Sequence, residues 1–464
     1  LTVSNSSIAY NDQRYTLDSI SLTATADTSR NTLVLKSEFL QAHLVAKYRL
    51  TELSASVQDI IRMYYNPKGT APTTLAYEPQ NFEFSASLNN SRFIRDFFPE
   101  LQEMRDVTLD GTFDSESKSI MAKLIAPKVL YDGMLIENVG IDLTTADSTL
   151  YYSALINKIK VNNIELSNTV FSGSVMENNL DFGLWIKDKV DKEQYHLGAK
   201  MQVTDNNYIL SLNEDGLMLN YENWQIDTDN QLSFGTDGIR AKSFRLTNNG
   251  QELLIQSQDS TLNAPLDLTF NNFRIETFTE ILESETLNMG GGINGTATIS
   301  RLESNPVFVS DLEINKFYFG KDTVGNVLVK VDNIKENTFS ADVKITDNGN
   351  DVQLIGDFIS LPGEPSSIDA TLSLKPMKLT TIQAFSLGYL EDCSGDLVGN
   401  LKVTGTVDAP RINGELAFQQ GKLNVAMLNA DLLMDNQVIR FNNQGIQFRQ
   451  FEIKDSRGNA SKLN

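Results

Sequence analysis

The chain has 464 residues, 41% hydrophobic and 21% charged, with a formal net charge of −21. That length allows two to four ordinary domains or one continuous repeat array, and the acidic balance excludes a surface built for nucleic acid or an anionic membrane, both of which need clustered cations. The single cysteine, Cys393, excludes an internal disulfide scaffold.

No run approaches the ~18 apolar residues of a membrane helix, and no secretory leader is legible. The pattern opens in mid-strand at Leu1 and stops after Gly458-Asn459, the expectation for a piece of a longer protein. Residues 1–50 read as the end of a strand ladder. Leu1-Val3, Ile8-Tyr10, Ile20-Leu22 and Leu33-Val34-Leu35 are broken by Asn, Asp and Ser clusters, which make turns by bonding their own backbone. The period then changes. Leu53, Val57, Ile60, Ile61 and Tyr64 recur at spacings of three and four, predicting an amphipathic helix over Thr51–Asn66 that ends at Pro67-Lys68-Gly69. Residues 1–66 are thus one strand-unit end plus a helix.

A second short ladder, Phe82-x-Phe84-x-Ala86-x-Leu88, runs into helical spacing again. Phe93, Ile94, Phe97, Phe98, Leu101 and Met104 predict a helix near 91–105. From Val107-x-Leu109-x-Gly111-Thr112-Phe113 to Phe270 only alternation follows. It is punctuated by turn signals at Asp205-Asn206-Asn207, Glu214-Asp215-Gly216, Thr236-Asp237-Gly238 and Asn248-Asn249-Gly250. Residues 67–270 are read as one unit, a helix followed by a long meander.

Next, Leu266-x-Leu268-x-Phe270 leads into a helix over 275–287 marked by Ile275, Phe278, Ile281 and Leu282. Its start carries a capping box, Thr277-Phe278-Thr279-Glu280. Strand period returns at Ile293-x-Gly295-Thr296-Ala297-x-Ile299 and continues at Leu312-x-Ile314. The same order recurs at a constant offset of 104 residues: positions 268, 295, 306 and 312 match 372, 399, 410 and 416. Between the matched strands lies another helix, over 379–390, with Leu379, Ile382, Phe385 and Tyr389. Residues 271–375 (strands 293–374) and 376–464 (strands 396–459) are therefore two copies of one unit, and the segment from Leu88 to Gly111-Thr112 echoes it.

The last copy is the clearest. Leu397, Gly399, Leu401, Val403, Gly405 and Val407 occupy alternate positions, the chain turns at Asp408-Ala409-Pro410, and Ile412, Gly414, Leu416 and Phe418 resume the alternation. Shorter pairs follow at Leu423/Val425, Leu432/Met434, Ile439/Phe441, Ile446/Phe448 and Phe451/Ile453. This is a ladder of antiparallel strands with one apolar side. Open sheets much beyond ~10 strands curl, split or close, so an apolar face this long must be sealed by a second sheet or folded into a trough. Alternation alone fits both.

The run Leu397-x-Gly399-x-Leu401-x-Val403-x-Gly405-Thr406-x-x-x-Pro410-x-Ile412-x-Gly414-x-Leu416, followed by Phe451-x-Ile453-x-Asp455-x-x-Gly458-Asn459, resembles the region at or just before the C-terminal domain of the TamB branch of the AsmA-like family, especially its Bacteroidetes members. The resemblance covers roughly the last 70 residues. It implies a mainly β fold, a long taco-like antiparallel β-groove of repeating units with a few short amphipathic helices between them. It also implies a periplasmic protein of a Gram-negative bacterium, its parent anchored in the inner membrane and reaching the outer membrane. Such a groove would conduct phospholipids between the membranes, with a BamA-like outer-membrane barrel of the TamA type as partner. On that reading the lipid-facing side chains are Leu266, Leu268, Phe270, Ile293, Ile299, Leu312, Ile314, Leu372, Leu374, Leu397, Leu401, Val403, Val407, Ile412, Leu416 and Phe418. Two other classes stand beside it: a scaffold for outer-membrane protein assembly that pairs strand edges with its client, and a structural β-solenoid, against which the 104-residue offset counts.

No catalytic constellation is legible, and the expectation is a protein that is not an enzyme and takes no metal or cofactor. His43 and His196 lack metal partners at nearby spacing. Cys393, before Ser394-Gly395, has no histidine near it in sequence and reads as a buried thiol. Gly290-Gly291-Gly292 is not flanked as a phosphate loop requires, and Asp227-x-Asp229 lacks the glycine of a calcium loop and reads as a tight turn.

Overall fold

The computed structural model describes residues 1–10, 13–27, 30–47, 49, 51–66, 78–162, 164–204, 207–279, 288–303, 305–361, 363–428 and 430–463. About 70% of the chain is strand, in large antiparallel sheets that are not closed into a barrel, with a few short helices between strands. It forms two compact units, Leu1–Asp237 and Gly238–Asn464. The segment 67–270, read as one unit from its strand pattern, therefore contributes to both. A period of two runs through the boundary unchanged, so alternation could not mark it.

In the first unit each strand from Asn31–Ser37 through Leu40–Lys47, Asn81–Leu88, Val107–Asp114, Ser119–Tyr131, Met134–Ala146, Thr149–Val161, Ile164–Met176, Asn179–Lys187 and Glu193–Val203 to Asn207–Leu219 pairs antiparallel with the next. The second unit repeats the arrangement from Phe244–Asn248 through Gln251–Ser257, Leu266–Arg274, Met289–Ser300, Val307–Phe319, Asp322–Asp332, Thr338–Asp347, Asn350–Ile359, Ser367–Lys378 and Leu390–Thr406 to Ala409–Val425. Tight hairpins hold the order. At Asn249-Gly250 both residues take positive φ, 45° and 81°, the mirror-image turn whose twist suits antiparallel strands.

The 104-residue offset is a repeat of hydrogen-bond register. Phe270 pairs with Gly295, and Leu374 with Gly399. After a bulge in both copies, Phe273 pairs with Ile293, and Met377 with Leu397. Beyond each bulge a helix crosses from one strand to the next.

Helix α1, Leu53–Tyr64, bears out the predicted span; the stop at Pro67-Lys68-Gly69 and the turn at Asp205-Asn206 lie outside the described residues. Helix α2 is only Arg92–Phe97, capped by the Ser91 hydroxyl, which accepts from Ile94 N–H at 3.3 Å. The predicted helix near 91–105 is cut short because Pro99 forces Phe98 out of helical geometry. Leu101–Met104 then forms a strand edge on Ser119–Tyr131.

Helix α3 begins at Glu276, so Thr277 lies inside it and is not an N-cap; Glu280 and residues 281–287 lie outside the described residues. Helix α4 is Leu379–Phe385. The predicted span to 390 ends early because Leu387 and Gly388 turn left-handed and Leu390 opens the next strand. Glu214-Asp215-Gly216 is not a hairpin. It is looped out of the strand Asn207–Leu219, where the register jumps from Leu197↔Leu217 to Ala199↔Leu212.

Candidate apolar binding face

Partners directly opposite in an antiparallel ladder point to the same face. One row in the second unit runs Leu253, Phe270, Gly295, Leu312, Val329, Val343, Leu354, Leu372, Leu401, Gly414, Phe441 and Ile446, each on the next strand. The parallel rows carry Leu266 and Ile299; Leu268 and Ala297; Phe273, Ile293 and Ile314; Leu374 and Leu416; Leu397 and Phe418; and Val403 and Ile412. All the predicted lipid-facing residues except Val407 therefore share one face. Val407 falls in the turn after the strand ends at Thr406, where its N–H bonds Ser366 C=O.

The opposite face is mainly polar, with the half-exposed Ile355 beside Asp342 as an exception. Asp311, Lys330 and Asp342 stand side by side on it, with Lys330 Nζ 2.8 Å from Asp311 Oδ2, and Lys402 pairs with Asp369.

The first unit also carries an apolar row, Leu33, Leu44, Phe84, Gly111, Ala122, Leu143, Tyr152, Gly173, Phe182, Ala199 and Leu212, but its other face is mixed, with Met121, Ile125, Tyr151 and Leu155 exposed on it. Gly111 is required there, because a Cβ would stand 2.4 Å from the Phe84 ring.

Helices cover part of each face. Ile60 and Tyr64 of α1 pack on Phe82, Phe113, Ile120, Leu150 and Val175. The Tyr64 hydroxyl donates to Lys118 C=O at 2.8 Å, while Tyr64 C=O accepts from Asn178 N–H at 3.0 Å. Four strand steps of ~4.8 Å would hold those two turns ~19 Å apart in a flat sheet. One residue bridges them, so the sheet curls round the end of α1.

In the second unit α4 lies over Leu374, Leu397 and Phe418, which are buried with Leu379, Met434 and Phe451. Those three predicted lipid-facing residues are core beneath the helix. A polar network pins the helix. Asn350 Nδ2 donates to Val324 C=O and to the Thr381 hydroxyl, at 2.8 and 2.9 Å. Its Oδ1 accepts from Lys378 N–H at 2.8 Å, and Gln383 Oε1 accepts from Cys393 N–H at 2.7 Å.

Away from the helices the face is open. Phe339, Leu354 and Phe358 in the second unit, and Ile141 and Phe171 in the first, are 38% to 44% exposed. No sequence motif singled them out. Their only signal was alternation in register with strands that did carry one.

The His196 ring stacks on Trp185 at 4.9 Å, and Asn230 N–H closes a turn on Asp227 C=O. Cys393 is buried, and burial, then the nearby Asp322 and Asp392, push its thiol above the usual range. Among the described residues no His, Cys, Asp and Glu cluster could hold a metal ion, and no helix is long and apolar enough to cross a membrane. Compared with protein-family models, curated proteins and solved structures, the chain matches none.

Proposed function

We propose that the open apolar faces hold the acyl chains of phospholipids and that the protein carries such lipids between the inner and outer membranes of a Gram-negative envelope. The observation that supports this most is an uninterrupted apolar face, eleven or more strands wide, that short helices cover only in part. Each CH₂ moved from water onto such a surface gains about 0.8 kcal/mol, while the headgroup stays in water. Rows of equivalent Leu, Val, Ile and Phe side chains make no directional bond, so a chain can slide without a deep well. The TamB-like texture of the last 70 residues supports the setting and a BamA-like barrel partner. Strand-edge pairing with a client and a structural role draw no comparable support from a half-covered apolar face.

The test is native mass spectrometry with lipid extraction on this chain, as wild type and as Leu354→Glu with Phe358→Glu. Co-purifying phospholipid that the charged pair displaces, with strand content unchanged, is the expected result. Lipid retained at wild-type level by the folded variant would overturn the proposal at this face, as would a wild type that takes up no lipid when phospholipid is supplied. A second pair, Leu401→Glu with Val403→Glu, reports on the same face nearer the repeat motif.

A further inference from the structure

The mixed face of the first unit carries a polar hollow. Asp142, Ser153 and Ser172 stand opposite one another on three adjoining strands, and Tyr151, Ser174 and Asp181 form the next row on the same face. They line an open hollow of ≈ 550 Å³. Among the described residues no hydrogen bond or ion pair engages these hydroxyls and carboxylates, and Tyr151 is 44% exposed.

The next strand adds an indole. Ser172 pairs with Gly183, and the rim of the Trp185 ring fills the place that a Gly183 side chain would take. His196, one strand further on, stacks on that ring at 4.9 Å. The ring's other face is therefore turned back toward the strand of Ser172. Beyond it the looped-out segment closes that end: Asn213 Nδ2 and Gly216 Cα lie 3.1 and 3.4 Å from where a Cβ on Gly198 would stand. Two strand steps of ~4.8 Å and two residues of ~3.4 Å set Tyr151 and the indole rim ~12 Å apart.

We propose that this hollow binds a neutral oligosaccharide. A sugar ring offers an apolar C–H face to an aromatic ring and a rim of hydroxyls that both donate and accept. Trp185 and Tyr151 supply the aromatic faces, far enough apart to hold more than one linked ring, and the serines and carboxylates supply the polar partners. The surrounding charge selects a neutral ligand. Lys123 stands between Asp110 and Asp142, Lys200 stands opposite Asp181, and Glu214 and Asp215 are exposed in the looped-out segment. Carboxylates outnumber lysines there, so an acidic glycan is repelled. Asp142 and Asp181 lie three strands apart, each facing its own lysine, so no cage of acids converges on a lysine or arginine head. The inference stands apart from what the apolar faces bind.

The experiment titrates the whole chain with neutral trisaccharides of glucose, mannose, galactose and N-acetylglucosamine, read by indole emission and by saturation-transfer NMR at low and high salt. Trp224, the other of the two indoles, is 3% exposed, so Trp185 is the reporter. At least one trisaccharide is expected to saturate, equally at both salt concentrations. Tyr151→Ala should weaken that binding by about fivefold to tenfold, and Asp142→Asn with Ser172→Ala by at least about tenfold, with strand content unchanged in both variants.

No saturable response to any of the four, or a response that both folded variants leave unchanged, would overturn the proposal. So would binding of a lysine-rich peptide in place of saccharide, released by high salt and abolished by the same variants, which would make the hollow a site for basic peptide. Saccharide bound by a chain that takes up no phospholipid would uphold this inference and fail the acyl-chain reading alone.

Discussion

Helix α1 is held on its sheet chiefly by apolar side chains, with Ile60 and Tyr64 set into Phe82, Phe113, Ile120, Leu150 and Val175, and is tied at its end by the two hydrogen bonds of Tyr64. Helix α4 has 7 residues against 12, and it is held by Leu379 together with buried polar atoms of Asn350, Thr381 and Gln383. Both cover one end of an apolar face and leave the rest open. Both helices announce themselves through their own spacing, and the shorter one is also pinned by polar bonds, from Asn350 to Thr381 and from Cys393 to Gln383. A helix too short to bury a full apolar stripe needs fixed polar bonds to keep its place.

Substitutions can break or sharpen that contrast. The largest effects belong to the covered cores: Phe113→Ala in the first unit and Phe418→Ala in the second should each cost ~3–5 kcal/mol in urea unfolding. A much smaller loss at either site would mean that the helix does not seal the face there.

Polar deletions should separate the two helices. Asn350→Leu strands Lys378 N–H, Val324 C=O and the Thr381 hydroxyl, and is expected to cost ~2–3 kcal/mol. Tyr64→Phe, which removes one bond to Lys118 C=O, should cost about 1 kcal/mol. Equal costs would erase the distinction drawn between apolar and polar anchoring.

Cys393 reports on α4 directly. Buried, with its thiol pushed up, it should resist alkylation at neutral pH in the folded chain, and Asn350→Leu should speed the reaction before global unfolding. Fast labelling of wild type would show that α4 opens readily.

The smallest effect is electrostatic and lies in a turn. Asp188 accepts bonds from the Tyr221 hydroxyl at 2.7 Å and from Val190 and Lys192 N–H, and these bonds, the tyrosine's first, lower its pKa. A depressed carboxylate contributes stability that is complete above the ordinary carboxylate range and lost as pH falls through the folded value. The stability difference between wild type and Asp188→Asn should therefore shrink on acidification, measured by thermal melts at neutral and acid pH. A difference that stays constant would remove Asp188 as its source.

Much of this was legible in the sequence, for reasons that vary by element. The 104-residue repeat could be read because Leu372, Gly399 and Leu416 sit where register demands, and the same bulges follow in both copies. The shortening of the second helix was readable in principle from Pro99. The looped-out Glu214-Asp215-Gly216 was not, because the same three residues make a good hairpin turn. Alternation placed Leu374, Leu397 and Phe418 on the correct face. It could not say that α4 covers them, nor that Phe339, Leu354 and Phe358 stay open, because cover is decided by where a helix lands.

The most direct measurement is cross-linking with a phospholipid that carries a photoreactive group on its acyl chain, followed by mapping of the adducts. The account predicts adducts on Phe339, Leu354, Phe358, Ile141 and Phe171 and their neighbours on the apolar rows, and none on Asp311, Lys330, Asp342 and Lys402 of the opposite face. Adducts spread equally over both faces, or absent from the apolar rows, would contradict it.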